Sequence, residues 1–243
     1  MDLPVIRQKQ RFYLVMIILT IVLLSVALIL IHTSGWSSDV TITLTFVVVL
    51  TLLVAALFFG PRVTYANMVA AYIRLRDNRS GPLVAKHDPL SGRFLARLSA
   101  KSFNPPVDHG PFITADRFTQ DSKDRVTRDG MLEILVLIKD RALRSDSETI
   151  TRAINTIEDD YRARKTRYRA LSIMTVRSVD TLDEDDMKEI GNITFERNGA
   201  FRITVLRTVH AKADNTLHML WSETFAPSVH YAYLTALARD LLC

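Results

Sequence analysis

Residues 12–31 read FYLVMIILTIVLLSVALILI and residues 40–59 read VTITLTFVVVLTLLVAALFF, and these two stretches decide the fold. Each is 20 residues long and contains no Asp, Glu, Lys, Arg or His. At a helical rise of about 1.5 Å per residue, each matches the roughly 30 Å hydrocarbon core of a bilayer. Because only the eight residues 32–39 separate them, the sequence predicts a transmembrane hairpin over residues 1–61.

Positive charges flank the hairpin on one side only. Three bases precede the first stretch, the loop 32–39 has neither Lys nor Arg, and four arginines follow the second stretch. Since short cytoplasmic loops are rich in Lys and Arg, we expect an integral protein of a bacterial inner membrane with both termini cytoplasmic. A cleaved signal peptide is the alternative. Three features argue against it. The first apolar run is longer than the hydrophobic core of a usual signal peptide, no A-x-A cleavage site follows it, and the second apolar run begins after only the eight residues 32–39.

The net charge of +5 is concentrated behind the hairpin. Residues 62–104 carry 8 bases and 2 acids, whereas residues 105–243 carry 20 bases and 22 acids. A polybasic segment beside a bilayer is attracted to anionic headgroups. The predicted lipid-surface residues are Arg62, Arg74, Arg76 and Arg79. Nucleic-acid binding is the weaker explanation of this charge, and we predict no nucleic-acid partner.

Residues 62–128 are predicted to form a basic juxtamembrane segment followed by an irregular linker. Residues 61–75 have a loose apolar stripe, which fits either an amphipathic helix on the inner leaflet or an extension of the second span. Beyond residue 77 the chain is rich in Pro, Gly, Ser and Asp, which are turn residues. A short helix is expected around residues 91–99.

Residues 129–243 are predicted to form a cytoplasmic α+β domain that begins with two helices. Residues 131–143 are apolar almost all round and lack the β-branched density of a strand, so we predict a buried helix. Ser145 and Glu148 form a possible capping box for the next helix, which runs to about Tyr168. The core stripe of that helix has apolar residues at steps of four, three and four: Ile150, Ile154, Ile157 and Tyr161.

The apolar period then changes from helical to alternating. Strands are predicted at residues 171–179, from residue 193, from residue 201 and from residue 217. Asn198-Gly199 is the strongest hairpin signal in the chain and predicts a type I′ turn. A last helix follows Ser228. The predicted order is α-α-β-β-β-β-α, with the four strands in an antiparallel meander and helices covering one face.

Two charged clusters are the candidate partner-binding sites. The basic cluster ends the second helix of the domain and comprises Arg162, Arg164, Lys165 and Arg167. The acidic cluster lies between two strands and comprises Asp183, Glu184, Asp185 and Asp186. The basic cluster has a purely structural alternative, a solvated helix end whose cations interact favourably with the helix dipole and pair with nearby acids. The structural alternative for the acidic cluster is an exposed turn with a short helix.

Motifs for chemistry are missing. The chain has no phosphate-binding glycine loop, no nucleophile elbow and no zinc spacing of histidines. The acidic run fails as a calcium loop because Lys188 takes the position that requires glycine. The one cysteine, Cys243, can form no internal disulfide. The sequence therefore predicts no cofactor, no metal and no catalytic residue.

These observations favour a non-enzymatic, membrane-anchored adaptor or assembly component that presents its domain to an unidentified protein partner. Its other expected partners are the bilayer, anionic headgroups and further copies of the chain. In layout alone, without a shared motif, the chain resembles accessory membrane proteins of bacterial conjugation, secretion or exclusion systems, and two-span effectors of antiviral signalling. The second resemblance implies an alternative, a membrane-disrupting effector whose domain senses a signal. A lipid-surface enzyme is a further alternative.

Overall fold

The computed structural model describes residues 3–243, apart from the side chains of Leu3, Arg197 and Asn198. The chain divides into two units, Met1–Arg74 and Leu75–Cys243. The first consists of long apolar helices and the second is a domain of strands and helices. The predicted α+β class is therefore confirmed.

Two long helices begin the chain: α1 (Leu3–Thr33) and α2 (Ser38–Asp77). Both are long and apolar enough to cross a membrane, and only 6% and 0% of their apolar windows are buried. A core helix of a soluble domain would be mostly covered, so these bare surfaces weakly indicate a membrane protein. Thr20, Thr43 and Thr51 each donate to the carbonyl four residues earlier. Their hydroxyls are thereby satisfied within their own helices.

Helix α2 continues well past the second apolar stretch. Its 40 residues, which include Pro61, rise about 60 Å, twice the thickness of a hydrocarbon core. Beyond Pro61 it packs on the start of α1, where Ile6, Ala66 and Ile73 are buried together. Residues 61–75 therefore extend the second apolar helix rather than form a separate amphipathic helix.

The second unit alternates strands and helices. Its elements are, in chain order, β1 (Leu83–Val84), α3 (Gly92–Ala100), β2 (Val107–Asp108), β3 (Phe112–Thr119), β4 (Met131–Ile138), α4 (Glu148–Ala163), β5 (Ala170–Val179), α5 (Glu184–Gly191), β6 (Thr194–Asn198), β7 (Phe201–Ala211), β8 (Thr216–Met219) and α6 (Val229–Leu242).

The eight strands of the described chain form one mixed sheet. Their order is β1-β8-β7-β5-β4-β3-β2, and β6 also pairs with β7. The central strands β4, β5 and β7 run parallel, while β3 and β8 are antiparallel to their neighbours. The predicted antiparallel meander is therefore wrong at the centre. Because α5 and β6 lie between β5 and β7, the chain returns to the same end of the sheet before β7 begins.

The predicted helix at residues 131–143 is also wrong, because Met131–Ile138 forms strand β4. Every residue of this strand is buried. A strand covered on both faces shows no polar alternation and cannot be distinguished from a buried helix by periodicity. The helix that follows begins at Glu148, and its N-cap is Ser147 rather than Ser145.

The segment that was predicted as an irregular linker contributes to the sheet. Strand β3, eight residues long, pairs along its whole length with β4, and the short strand β1 pairs with β8. The helix expected near residues 91–99 is α3, capped by the hydroxyl of Ser91. The prolines and glycines that indicated a linker lie mainly in the turns between these elements.

The predicted hairpin at Asn198 is present, but its turn is shifted by one residue. Asn198 pairs with Phe201, so the central residues are Gly199 and Ala200. The φ of Gly199 is +59°, and a type II′ turn has glycine at this first central position, where φ is positive. The predicted strand at 171–179 and the helix after Ser228 are confirmed as β5 and α6.

Helices cover both faces of the sheet. On one face, Ile150 and Tyr161 of α4 pack on Leu132, Ile134 and Ile173 of the sheet. Helix α6 contacts β5 and β7 and lies with α3 on the opposite face. Cover on both sides explains why β4 is apolar on both faces, apart from Glu133.

Arg177 on β5 attaches α5 to the sheet. Its Nη2 donates to Oδ1 of Asp186 and lies 2.8 Å from Oε2 of Glu189. The three side chains are only 8%, 3% and 6% exposed. Glu189 Oε1 also accepts the backbone N–H of Ser145 at 3.0 Å. Buried charges need such partners, so this network holds α5 and the β4–α4 loop in place.

Candidate functional site

A cleft of about 740 Å³ lies between α4 and the β2–β3 edge of the sheet. The buried face of α4 packs mainly over β4 and β5, whereas β3 and β2 extend beyond it towards the edge. The cleft occupies the resulting gap. Its volume falls within the roughly 300–1,000 Å³ that is usual for ligand sites, so we treat it as the candidate functional site.

Asp116 on β3 supplies a negative charge inside the cleft. Its Oδ2 accepts the Tyr161 hydroxyl at 2.7 Å and the Asn104 side-chain amide at 2.6 Å. Burial, together with the hydrogen bond to Asp116, raises the pKa of Tyr161 to about 12. Tyr161 is therefore a neutral donor at physiological pH, and the carboxylate is held in place by two side chains.

His109 and Thr114 form a second polar pair in the cleft. His109 Nε2 lies 2.9 Å from Thr114 Oγ1, and the imidazole stacks on Phe112 with ring centroids 4.7 Å apart. The adjoining turn is held by Asp108, which binds Lys139 Nζ at 2.6 Å. That hydrogen bond is the main reason that the pKa of Asp108 is lowered.

Helix α4 contributes a rim with both signs of charge: Arg152, Asp160 and Arg164. The Arg164 guanidinium lies 5.9 Å from the ring centroid of Tyr161. Apolar side chains complete the lining: Val107, Phe112, Ala153 and Ile157. Apolar side chains beside a charged rim, with Tyr and Arg present, are typical of protein–protein contact patches.

The polar groups of the cleft suit recognition. Asp116 is bound by Tyr161, and Thr114 is bound to His109, so the hydrogen-bonding groups are already oriented before any ligand enters. Within residues 3–243, no group of three or more His, Cys, Asp or Glu side chains is placed to hold a metal ion.

The predicted basic cluster lies at and just beyond the C-terminal end of α4. Arg162 pairs with Glu158 at 3.4 Å and with Asp159 at 3.1 Å, as the structural alternative expected. Arg164 lines the cleft. Lys165 and Arg167 are exposed in the loop before β5, so Arg164 is the member of this cluster that belongs to the lining of the cleft.

The predicted acidic cluster lies at the start of α5. Asp183 is the N-cap and forms a capping box with Asp186. The Asp186 side chain is buried against Arg177, so its carboxylate is directed inward. Glu184 and Asp185 are exposed. The ten residues of β5 separate this cluster from the basic one, a distance of roughly 30 Å.

The four predicted lipid-surface arginines are spread along the end of α2 and the residues after it. The Arg62 guanidinium lies 3.4 Å from the centroid of the Phe58 ring. Arg74 and Arg76 lie in the last turns of α2, where Arg76 pairs with Asp77 at 3.3 Å. Arg79 follows the helix and is exposed.

Asp116, Asn104 and His109 were missed by the sequence reasoning because they lie in the segment predicted as a linker. One signal was present, since Phe112, Thr114, Asp116 and Phe118 alternate in the register of a strand and place a carboxylate on its apolar face. No family model, curated protein or solved structure matches the chain. The function must therefore be inferred from the residues themselves.

Proposed function

We propose that this protein is a non-enzymatic, membrane-anchored adaptor. Its hairpin inserts into a bacterial inner membrane with both termini in the cytoplasm, and its α+β domain binds a protein partner. Two bare apolar helices and the basic segment behind them support the anchoring. The cleft between α4 and the β2–β3 edge carries the binding part of the proposal.

The composition of the cleft argues for a protein partner. Its lining combines apolar side chains with a rim that has both signs of charge, and Tyr161 donates to the oriented carboxylate of Asp116. Tyr and Arg are enriched among residues that dominate binding energy. The exposed bases Arg162, Lys165 and Arg167 extend this surface beyond the cleft, and Glu184 with Asp185 provides a separate acidic surface.

A pair of matched threonines on α4 tests the cleft. Thr156 lines the cleft and donates to the carbonyl of Arg152 at 3.0 Å, whereas Thr151 lies outside it and donates to the carbonyl of Ser147 at 3.1 Å. Both are exposed. Thr156→Arg should fill the cleft and weaken partner binding about 30-fold, as expected for loss of a hot spot of about 2 kcal/mol.

The measurement is quantitative co-purification of partners with the full chain in mild detergent. Thr151→Arg should retain the partner that the unchanged chain retains. Equal retention by Thr156→Arg would reject the cleft as the binding surface. Equal loss from both variants would show that charge on α4, rather than the cleft, is responsible.

The orientation has its own test. A C-terminal reporter that is active only outside the cytoplasm should remain silent, and the chain should stay with membranes after alkaline extraction. An active reporter would overturn the cytoplasmic adaptor, while release by alkali would overturn the anchor itself.

The second candidate function is a membrane-disrupting effector, and one observation favours it. A groove of about 180 Å³ between the two helices is lined largely by small or apolar residues, including Ala55, Ala56 and Gly60. Small residues allow close helix association in bilayers. Overexpression of the full chain should leave the membrane potential unchanged for an adaptor and should collapse it for an effector.

A further inference from the structure

A second cavity, of about 360 Å³, lies within the hairpin unit between α1 and α2. Lys9 and Tyr13 of α1 face it from one side, and Arg62 and Tyr65 of α2 from the other. Ala66, which is 6% exposed, also lines it. The cavity is therefore formed by residues on both sides of the hairpin.

The two helices are held together beside this cavity. Gln10 Nε2 donates to Asn67 Oδ1 at 2.6 Å, and Ile6, Ala66 and Ile73 pack against one another. These contacts bring Lys9 and Arg62 to one cavity although they are far apart in sequence.

The charged residues of the cavity favour an anion. Its lining includes Lys9 and Arg62, and no Asp or Glu is among the described residues that line it. The guanidinium of Arg62 lies 3.4 Å from the centroid of the Phe58 ring, a cation–π contact that restricts its position. Two tyrosines add hydroxyl donors. Because both charged residues of the lining are basic, an anion is the ligand that their charge favours.

The position of the cavity along the hairpin identifies the source of that anion. Lys9 precedes the first apolar stretch by three residues, and Arg62 follows the second by three. Both bases therefore lie at the same boundary of the apolar region, which is where headgroup phosphates lie and where interfacial tyrosines accumulate. Basic pockets between membrane helices on the cytoplasmic side bind phospholipid headgroups.

We infer that this cavity binds the headgroup phosphate of one anionic phospholipid of the inner leaflet, through Lys9 and Arg62. The inference rests on the proposed membrane insertion. It adds a specific lipid site to the general attraction of the basic segment for the membrane.

The test compares two double variants of the full chain that lose the same charge. Lys9→Gln with Arg62→Gln removes the cavity bases, and Arg7→Gln with Arg11→Gln removes two neighbouring bases that do not line the cavity. Each chain is reconstituted in vesicles of phosphatidylcholine with phosphatidylglycerol and extracted in mild detergent. Bound lipid is then quantified by mass spectrometry.

The unchanged chain and the Arg7/Arg11 variant should retain phosphatidylglycerol to within about twofold of each other. The Lys9/Arg62 variant should retain about 25-fold less, because it loses two bases that contact the phosphate directly, and each such contact contributes about fivefold, as one hydrogen bond does. Lys9→Arg with Arg62→Lys should restore retention, which separates loss of charge from misfolding. Equal retention by both glutamine variants, or equal loss, would overturn the site.

Two further arms separate the possible failures. Inorganic phosphate added during extraction should not displace the lipid, and displacement would assign the cavity to a free phosphate instead. If the chain is released from vesicles by alkali, the membrane anchor fails. If it stays membrane-bound but retains no phosphatidylglycerol, only the lipid site fails.

Discussion

Replacing Arg177 with methionine should strongly destabilise the α+β domain. The change removes the guanidinium that binds Asp186 and Glu189, whose side chains are 3% and 6% exposed. Removing one partner of a buried ion pair costs about 3–5 kcal/mol, because the other charge remains buried. Each carboxylate keeps one backbone donor, from Asp183 and Ser145 respectively. We therefore expect the free energy of unfolding to fall by an amount near the lower end of that range, about 3 kcal/mol.

The assay is urea unfolding of the full chain in detergent, followed by the fluorescence of Trp221. This side chain is 4% exposed, so unfolding of the domain changes its environment. Trp36, the other tryptophan, is replaced by phenylalanine in every variant to leave one reporter. The denaturant midpoint should shift while the dependence on urea stays constant, as expected when only stability changes.

Arg152→Met is the matched control. Arg152 pairs with Glu148 at 2.6 Å, but the two side chains are 73% and 80% exposed, and such surface pairs contribute about 0.3–0.5 kcal/mol. Adding Asp186→Asn and Glu189→Gln to Arg177→Met should recover part of the loss, because amides bury no charge. A loss below about 1 kcal/mol for Arg177→Met, or an equal loss in the control, would refute the role assigned to the buried network.

Three further predictions concern stability. Gly130→Ala should lower the free energy of unfolding by about 2 kcal/mol more than Gly110→Ala in the same urea assay. Both glycines have positive φ, +81° and +86°, but only at Gly130 would a Cβ lie 2.7 Å from the Arg167 carbonyl oxygen. Burial lowers the pKa of His230, so the unfolded chain binds a proton more readily, and stability should fall as the pH drops through about 6.5. His230→Gln should flatten this slope, and an unchanged slope would contradict the assignment. Because the pKa of Tyr161 is raised to about 12, stability should fall as the pH rises from about 10 to 12. The fall should be less steep in Tyr161→Phe, and equal slopes would show that other groups dominate.

Local signals were sufficient for the parts of the chain whose structure is set by nearby residues. The apolar runs predict α1 and α2 by length alone, and alternation predicts β5. Asn198-Gly199 predicts the β6–β7 hairpin, although the turn type depended on which residues pair. Ser228 predicts the start of α6, where its hydroxyl accepts the N–H of Tyr231 at 3.1 Å. In each case the deciding interactions lie within a few residues of one another.

Strands β3 and β4 could not be predicted in this way. β4 is buried on both faces, so it lacks the alternation that identifies a strand, and its identity depends on parallel pairing with β5 across the α4 crossover. β3 follows a segment rich in turn residues. It forms a strand because each of its residues pairs with a residue of the antiparallel strand β4. Such pairings depend on residues that are distant in sequence.

The sequence by itself therefore determined the two long apolar helices, the asymmetry of charge around them and the α+β class of the domain, since these depend on composition and short-range period. Only the tertiary structure decided the mixed order of the sheet and the site. Asn104, Asp116 and Tyr161 meet although Asn104 and Tyr161 lie 57 residues apart, and Lys9 reaches the same cavity as Arg62 through helix pairing. The physical reason is that a cleft or cavity arises from the packing of distant elements, which no local pattern of residues specifies.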